Sequence, residues 1–266
     1  MIRALAFCLF FLPGVALGQE PSFVALSGAD VVVLGEVHDN PAHHTWQGEA
    51  LRALSPAAVV FEMLTPDQAA MVTPASRIDL DALGVAIGWA ESGWPEFALY
   101  RPVFAALGAA AVYGAALPYD AVRGAIEDGA AARFDGDAVR FGLDEPLPGD
   151  QQARRERLQA GAHCDALPEA LLPGMVEAQR LRDASFAATV LEALSETGGP
   201  VVLITGNGHA RMDWGVPGVI ARAAPGVTVI SVGQVEAQPE AQAPFDVWRV
   251  TPSVDREDPC AGFGTG

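Results

Sequence analysis

The sequence predicts an α/β fold: a mainly parallel β-sheet flanked by helices, with a helical insertion. Three observations carry that expectation. Short runs rich in Val, Ile and Leu recur along the chain, separated by segments with helical spacing, as in successive β-α-β units. The runs do not alternate polar with apolar, so both faces of their sheet are expected to be covered. Asn, Pro and Gly stand where the helices of such units should start and the strands should stop.

Taken in order, residues 29–34 form the first strand, ended by Gly35. Asn40 and Pro41 supply an N-cap and a first helical residue for a helix running to about Leu54. Residues 57–63 form a second buried strand, and 66–107 read as helical with breaks, carrying Trp89, Trp94, Phe97, Tyr100 and Phe104. Residues 108–117 read as a third strand, stopped by Pro118, and a short helix follows from Asp120 to about Gly129. Residues 134–152, rich in Gly, Pro and Asp, read as loop, and 151–159 as a short basic helix. The strongest helix spans 175–194, with an apolar stripe of Ala178, Leu181, Ala184, Ala188, Leu191 and Leu194; Gly198 and Gly199 stop it. Strands at 201–205, 227–232 and 245–250 complete the sheet, the last at its edge.

The chain has 266 residues, 50% of them hydrophobic, which is too apolar for disorder and long enough for a sizeable core. Its net charge of −17 repels phosphate backbones, so nucleic acid is excluded as a partner, and an anionic membrane surface is disfavoured. All 16 basic residues are Arg, which rules out Schiff-base and P-loop lysine chemistry. Met1 to Gly18 has the positive start, apolar run and small-x-small end of a secretory signal peptide. Residues 19–266 are then a single α/β domain, exported to the periplasm or cell envelope. Cys8 lacks a lipoprotein-type setting, so no lipid anchor is expected. Cys164 and Cys260 remain, and an even count in an exported chain points to a disulfide between them.

Ligands of open parallel sheets bind beyond the carboxyl ends of the strands. Gly35-Glu36-Val37-His38 follows the first strand, and the next helix presents His43 and His44 in its first turn. Glu62 ends the second strand, and Gly206-Asn207-Gly208-His209, then Arg211 and Asp213, follow the fourth. Four of the five histidines thus gather at one sheet edge. Glu36, His38, Glu62 and His209 could act as general acids and bases, or could hold a divalent metal such as Zn, Mn or Fe. Only one of His43 and His44 is expected to face the cleft. His163, beside Cys164, reads as structural. Gln179, Asp183 and Phe186 share a helix face that reads as solvated, with one ion pair. Trp89 to Tyr100 are either core or the lining of an apolar groove, with Arg101 reaching an anionic group.

The stretches Gly35 to His44 with Gln47, Ser92 to Pro102, His163 to Pro168 with Met175, Gln179, Arg182 and Asp183, and Gly206 to Pro217 together resemble the ChaN family of haem-binding proteins of iron uptake. The resemblance implies an α/β fold related to the Tiki/TraB and erythromycin-esterase-like proteins. It implies haem as the ligand, cofacial haems at a homodimer interface, and the outer-membrane haem-uptake machinery as a partner. In the wider superfamily, strand-end Glu and His serve hydrolysis, with metal in the Tiki branch. Tyr100, His43 and His209 are iron-ligand candidates on chemistry alone, and His38, His44, Arg101 and Arg211 join them as haem-contact candidates. The leading expectation is an exported haem-binding protein; the alternative is an esterase or metal-dependent peptidase.

Overall fold

The computed structural model describes residues 21–239, 243–258 and 260–261. The expected signal peptide, with Cys8, lies outside them. Six strands form one sheet: β1 (Val31–Glu36), β2 (Ala58–Phe61), β3 (Ala111–Gly114), β4 (Val201–Gly206), β5 (Val229–Val235) and β6 (Val247–Val250). Their order is β3-β2-β4-β1-β5-β6 and every pairing is parallel. The described helices are α1 (Phe23–Leu26), α2 (Pro41–Leu54), α3 (Pro66–Ala70), α4 (Leu80–Ala86), α5 (Phe97–Phe104), α6 (Tyr119–Asp128), α7 (Ala130–Arg133), α8 (Gly149–Ala162), α9 (Leu172–Thr197) and α10 (Val216–Ala223).

The α/β expectation holds, and the sheet is buried on both faces. Val32, Leu34, Val59, Phe61, Val202 and Ile204 point into a core shared with α2 and α5, while Val31, Val33, Ala58, Val60, Val201 and Leu203 point into a second core shared with α9 and α10. Alternation along a strand therefore selects a core, not core against solvent. Local signals set the helix starts. Asn40 caps α2 by accepting from the Ala42 N–H at 3.0 Å, and Thr65 and Gln68 make a reciprocal capping box on α3.

Three local readings change. β3 is shorter than expected, because the chain at Gly114 runs against another backbone: a Cβ there would come within 2.2 Å of the Thr65 carbonyl oxygen. α8 begins at Gly149, inside the expected loop. Between β4 and β5 lies α10, unforeseen although Pro217 stands in its first turn; a parallel crossover needs such a connection. The expected bond between Cys164 and Cys260 is present and spans 96 residues. Among the described residues no helix is long and apolar enough to cross a membrane.

Candidate functional site

Parallel register lays the two Gly-x-x-His stretches side by side, with Gly35 opposite Thr205 and Glu36 opposite Gly206. From β1 the chain leaves towards β2, and from the adjacent β4 towards β5, so this crevice is the switch point at which open parallel sheets bind ligands. Alternation then sends the two glutamates to opposite faces. Glu36 continues the Val32–Leu34 side towards α2 and α5, whereas Glu62 continues the Ala58–Val60 side towards α9.

Donors converge on buried Glu36. Its Oε1 accepts from the Tyr100 hydroxyl at 2.6 Å and from His38 Nδ1 at 2.8 Å. Its Oε2 accepts from Gln47 at 2.7 Å and lies 3.5 Å from His44 Nδ1. Burial alone would raise the Glu36 pKa, but hydrogen bonds from His38 and His44 outweigh it and hold the carboxyl well below its usual range. Both imidazoles are raised in turn: burial opposes their charge, and nearby carboxylates prevail. The second nitrogen of His44 donates to the His38 carbonyl at 2.9 Å. Burial and the Glu36 charge push the Tyr100 phenol far up, so it stays a donor.

His43 faces the other way. Its Nδ1 accepts from the Val37 N–H at 2.9 Å and its Nε2 donates to Thr251 Oγ1 at 2.8 Å. Burial lowers its pKa to about 4, so this neutral ring bolts the β1–α2 turn to the C-terminal segment. His43 and His44 are both fully enclosed, so neither opens onto a cleft as expected of one of them.

The second cluster forms on the α9 face. Glu62 Oε2 accepts from Thr205 at 2.6 Å and from the Gly206 N–H at 2.7 Å. His209 Nε2 lies 3.5 Å from Glu62 Oε1, and its Nδ1 donates to Asp183 at 2.7 Å. Phe186 packs on the ring at 4.8 Å, and Gln179 reaches it at 3.1 Å. Burial opposes the His209 charge, yet Glu62 and Asp183 raise its pKa. The face of α9 read as solvated is thus a buried part of the site. That helix is covered by the sheet on one side and by α6, α8 and α10 on others, so it buries Asp183 and Phe186 while Ala188, Leu191 and Leu194 of the expected stripe stay partly exposed.

The clusters meet over Gly206. A Cβ at that position would lie 2.9 Å from His38 Nε2 and 3.7 Å from Glu62 Oε2, so the missing side chain is what lets His38 reach across the strand ends. His38 packs on Trp94 at 4.8 Å. Beside it a depression of about 530 Å³ is lined by Glu62, Ser92, Trp94, Tyr119, Arg182 and His209. Two carboxylate–imidazole pairs at one opening are suited to moving protons. As to the alternative of a divalent metal, the Glu36 oxygens are taken up by donors, and among the described residues no group of three or more His, Cys, Asp or Glu is placed to hold an ion.

The remaining candidates are dispersed. Tyr100 is enclosed in the core, and His209 reaches the depression with both ring nitrogens beside partners. Arg101 pairs with Asp81 on the rim of a separate hollow walled by Trp89, Trp94 and Phe97. Arg211 is held by Asp213 at 2.7 and 3.0 Å and lies 3.9 Å from the Trp214 ring centre. It lines a groove of about 970 Å³ between α8, the first turns of α9, the loop after β4 and the segment after β5. Arg155 and His163 also line this groove. Sequence reasoning left Arg155 in a basic helix and His163 as structural, and no spacing pattern marks either.

A family model described as haem-binding uptake, Tiki superfamily, ChaN matches residues 23–220. The chain is similar in structure to the protein of "Cofacial heme binding to ChaN of Campylobacter jejuni", with a TM-score of 0.64, 19% identity, and coverage of 85% of this chain and 89% of that one. It also matches the type III effector HopBA1, with a TM-score of 0.49, 11% identity, and coverage of 87% and 92%. No curated protein sequence matches the chain.

Proposed function

The chain belongs to the haem-binding uptake family of the Tiki superfamily, the ChaN family, and from that premise we propose that it is an exported protein that binds haem and serves haem uptake. The supporting observation is the family match itself, which runs through both strand-end motifs and both carboxylate–imidazole clusters. The proposal includes residence in the periplasm or cell envelope, a homodimer as the haem-loaded form, and the outer-membrane haem-uptake machinery as partner. The donor chemistry of the chain suits the ligand: with no lysine, propionates fall to arginine, whose planar fork matches a carboxylate. Titrating the purified protein with haem is expected to give a shifted Soret band that saturates at a fixed ratio. Absorbance that merely tracks haem aggregation defeats the reading.

One observation favours a second function, acid–base hydrolysis. His38 stands partly exposed between Glu36 and Glu62, with His209 across Gly206. Such a pair could activate a water and protonate a leaving group. If so, a screen of esters and peptides finds turnover, and His38→Ala lowers it by about 10²–10⁴-fold. An inert wild-type protein ends this reading and leaves haem binding untouched.

A further inference from the structure

We propose that the depression beside His38 takes a small ester bearing a free carboxylate, with the Arg182 guanidinium receiving that carboxylate; this rests on the acid–base hydrolysis reading above. The helix α9 brings Arg182 to the site. Residues three and four apart share a helix face, so Gln179, Arg182, Asp183 and Phe186 turn the same way. Gln179 and Asp183 bond to the His209 ring, and Phe186 packs on it. Leu181 and Asp183, on either side of Arg182, are buried, whereas Arg182 is half-buried and lines the depression with Glu62, Trp94 and His209. Burial and then the Arg182 charge act against the His209 imidazolium, so the guanidinium is within electrostatic reach of the reacting groups.

Two observations point to a ligand. First, Arg182 makes no hydrogen bond or ion pair among the described residues. That is unusual in a chain with 33 acidic and 16 basic residues, where Arg101, Arg180, Arg211 and Arg256 each hold a carboxylate. A guanidinium has five donors and no acceptor, and partial burial restricts the water that could satisfy them. Second, the charge inside the depression suits a monoanion. Arg182 is the only arginine and Glu62 the only acid among its lining residues. Glu62 is engaged by Thr205 and the Gly206 N–H, and although burial opposes its charge, His209 and His38 hold its pKa down. One unpaired guanidinium beside an ionised glutamate balances a single arriving charge, and its planar fork matches a carboxylate. Met63, Leu117 and Val122 supply an apolar wall, and about 530 Å³ is the size of a small-molecule site. In the hydrolytic step a water oxygen bonds to the acyl carbon and gives a proton to His38 Nε2, the Nδ1 proton being held on Glu36. The acyl–oxygen bond breaks, and the leaving oxygen takes a proton from His209 Nε2, so that one acid and one alcohol result.

The test uses the full chain and two probes, 4-nitrophenyl hydrogen adipate and its methyl ester, which differ in the charge of the remote carboxyl. Release of 4-nitrophenolate reports each. Wild type is expected to favour the acid in kcat/KM by about 10–100-fold. Arg182→Gln should bring that ratio to about one, chiefly by raising KM for the acid, and Arg182→Lys, which keeps the charge and loses the fork, should hold an intermediate ratio. Both probes meet the same sample, so a misfolded fraction lowers the two rates together and leaves the ratio unchanged. Equal handling of the probes by wild type, or a ratio that survives Arg182→Gln, would overturn carboxylate recognition and leave hydrolysis standing. A wild-type protein inert to both probes would overturn it together with the hydrolytic reading.

Discussion

Glu36→Gln is expected to lower the unfolding free energy by about 3–5 kcal/mol, the range for removing one partner of a buried charge pair. The amide fits the space but cannot satisfy the Tyr100 hydroxyl, His38 and His44 together with Gln47, all of which now face one carboxylate. The loss has a defined pH signature. The Glu36 pKa is depressed in the fold, so its contribution is full above the unfolded value of 4.5 and fades as pH falls. Those of His38 and His44 are raised, so their contribution is full below 6.5 and fades as pH rises through their folded values. The cluster therefore stabilises most between 4.5 and 6.5. His43 runs the opposite way: its contribution is full above 6.5 and is lost towards about 4. Urea unfolding of wild type and variant across pH 3–9 removes that background by difference, because His43 is present in both. The difference should peak near pH 5–6 and shrink on either side. A variant as stable as wild type at every pH would show that the four donors find equal partners without the carboxylate.

Cys164→Ser/Cys260→Ser is expected to cost about 2–5 kcal/mol. The bond closes a loop of 96 residues, and a cross-link that long removes much freedom from the unfolded chain. Beyond β6 the chain is held by Thr251 on His43, by the Pro252 carbonyl accepting from Asn40, and by Arg256 between Asp39 and Glu236. The Arg256 pairs are partly exposed, where such bridges contribute little each. Chemical unfolding with and without reductant measures the effect on wild type, and the double variant should match the reduced protein. Equal midpoints in all three would mean that the tail leaves the unfolded ensemble unchanged.

The sequence was most informative where function lies on strands. Glu36, His38, Glu62 and His209 are legible because each closely follows an apolar run, and in a parallel sheet the ends of such runs share an edge. Asp183 and Gln179 are not, because a lone helix with polar residues opposite an apolar stripe has the same pattern whether that face meets water or a second layer. Tyr100 reads in the sequence as an iron-ligand candidate on chemistry alone, within an aromatic segment that is either core or groove lining. Its partner Glu36 is 64 residues away, and only the packing of α5 on α2 turns the hydroxyl inward. Arg155 was hidden for a similar reason: a helical arginine reads as exposed unless its cover, here Trp214, is known.

The strand order has a kinetic side. β1 and β2 are joined by a single helix yet do not pair with each other; the slot between them is filled by β4, from much later in the chain. Such insertion gives few early local contacts and a long loop to close before the pairing is rewarded, which slows folding. Any nascent or truncated chain that stops short of Gly206 holds Glu36 and Glu62 on two unjoined edges, with bare backbone between them. The two clusters can therefore meet only once β4 has been inserted between β1 and β2.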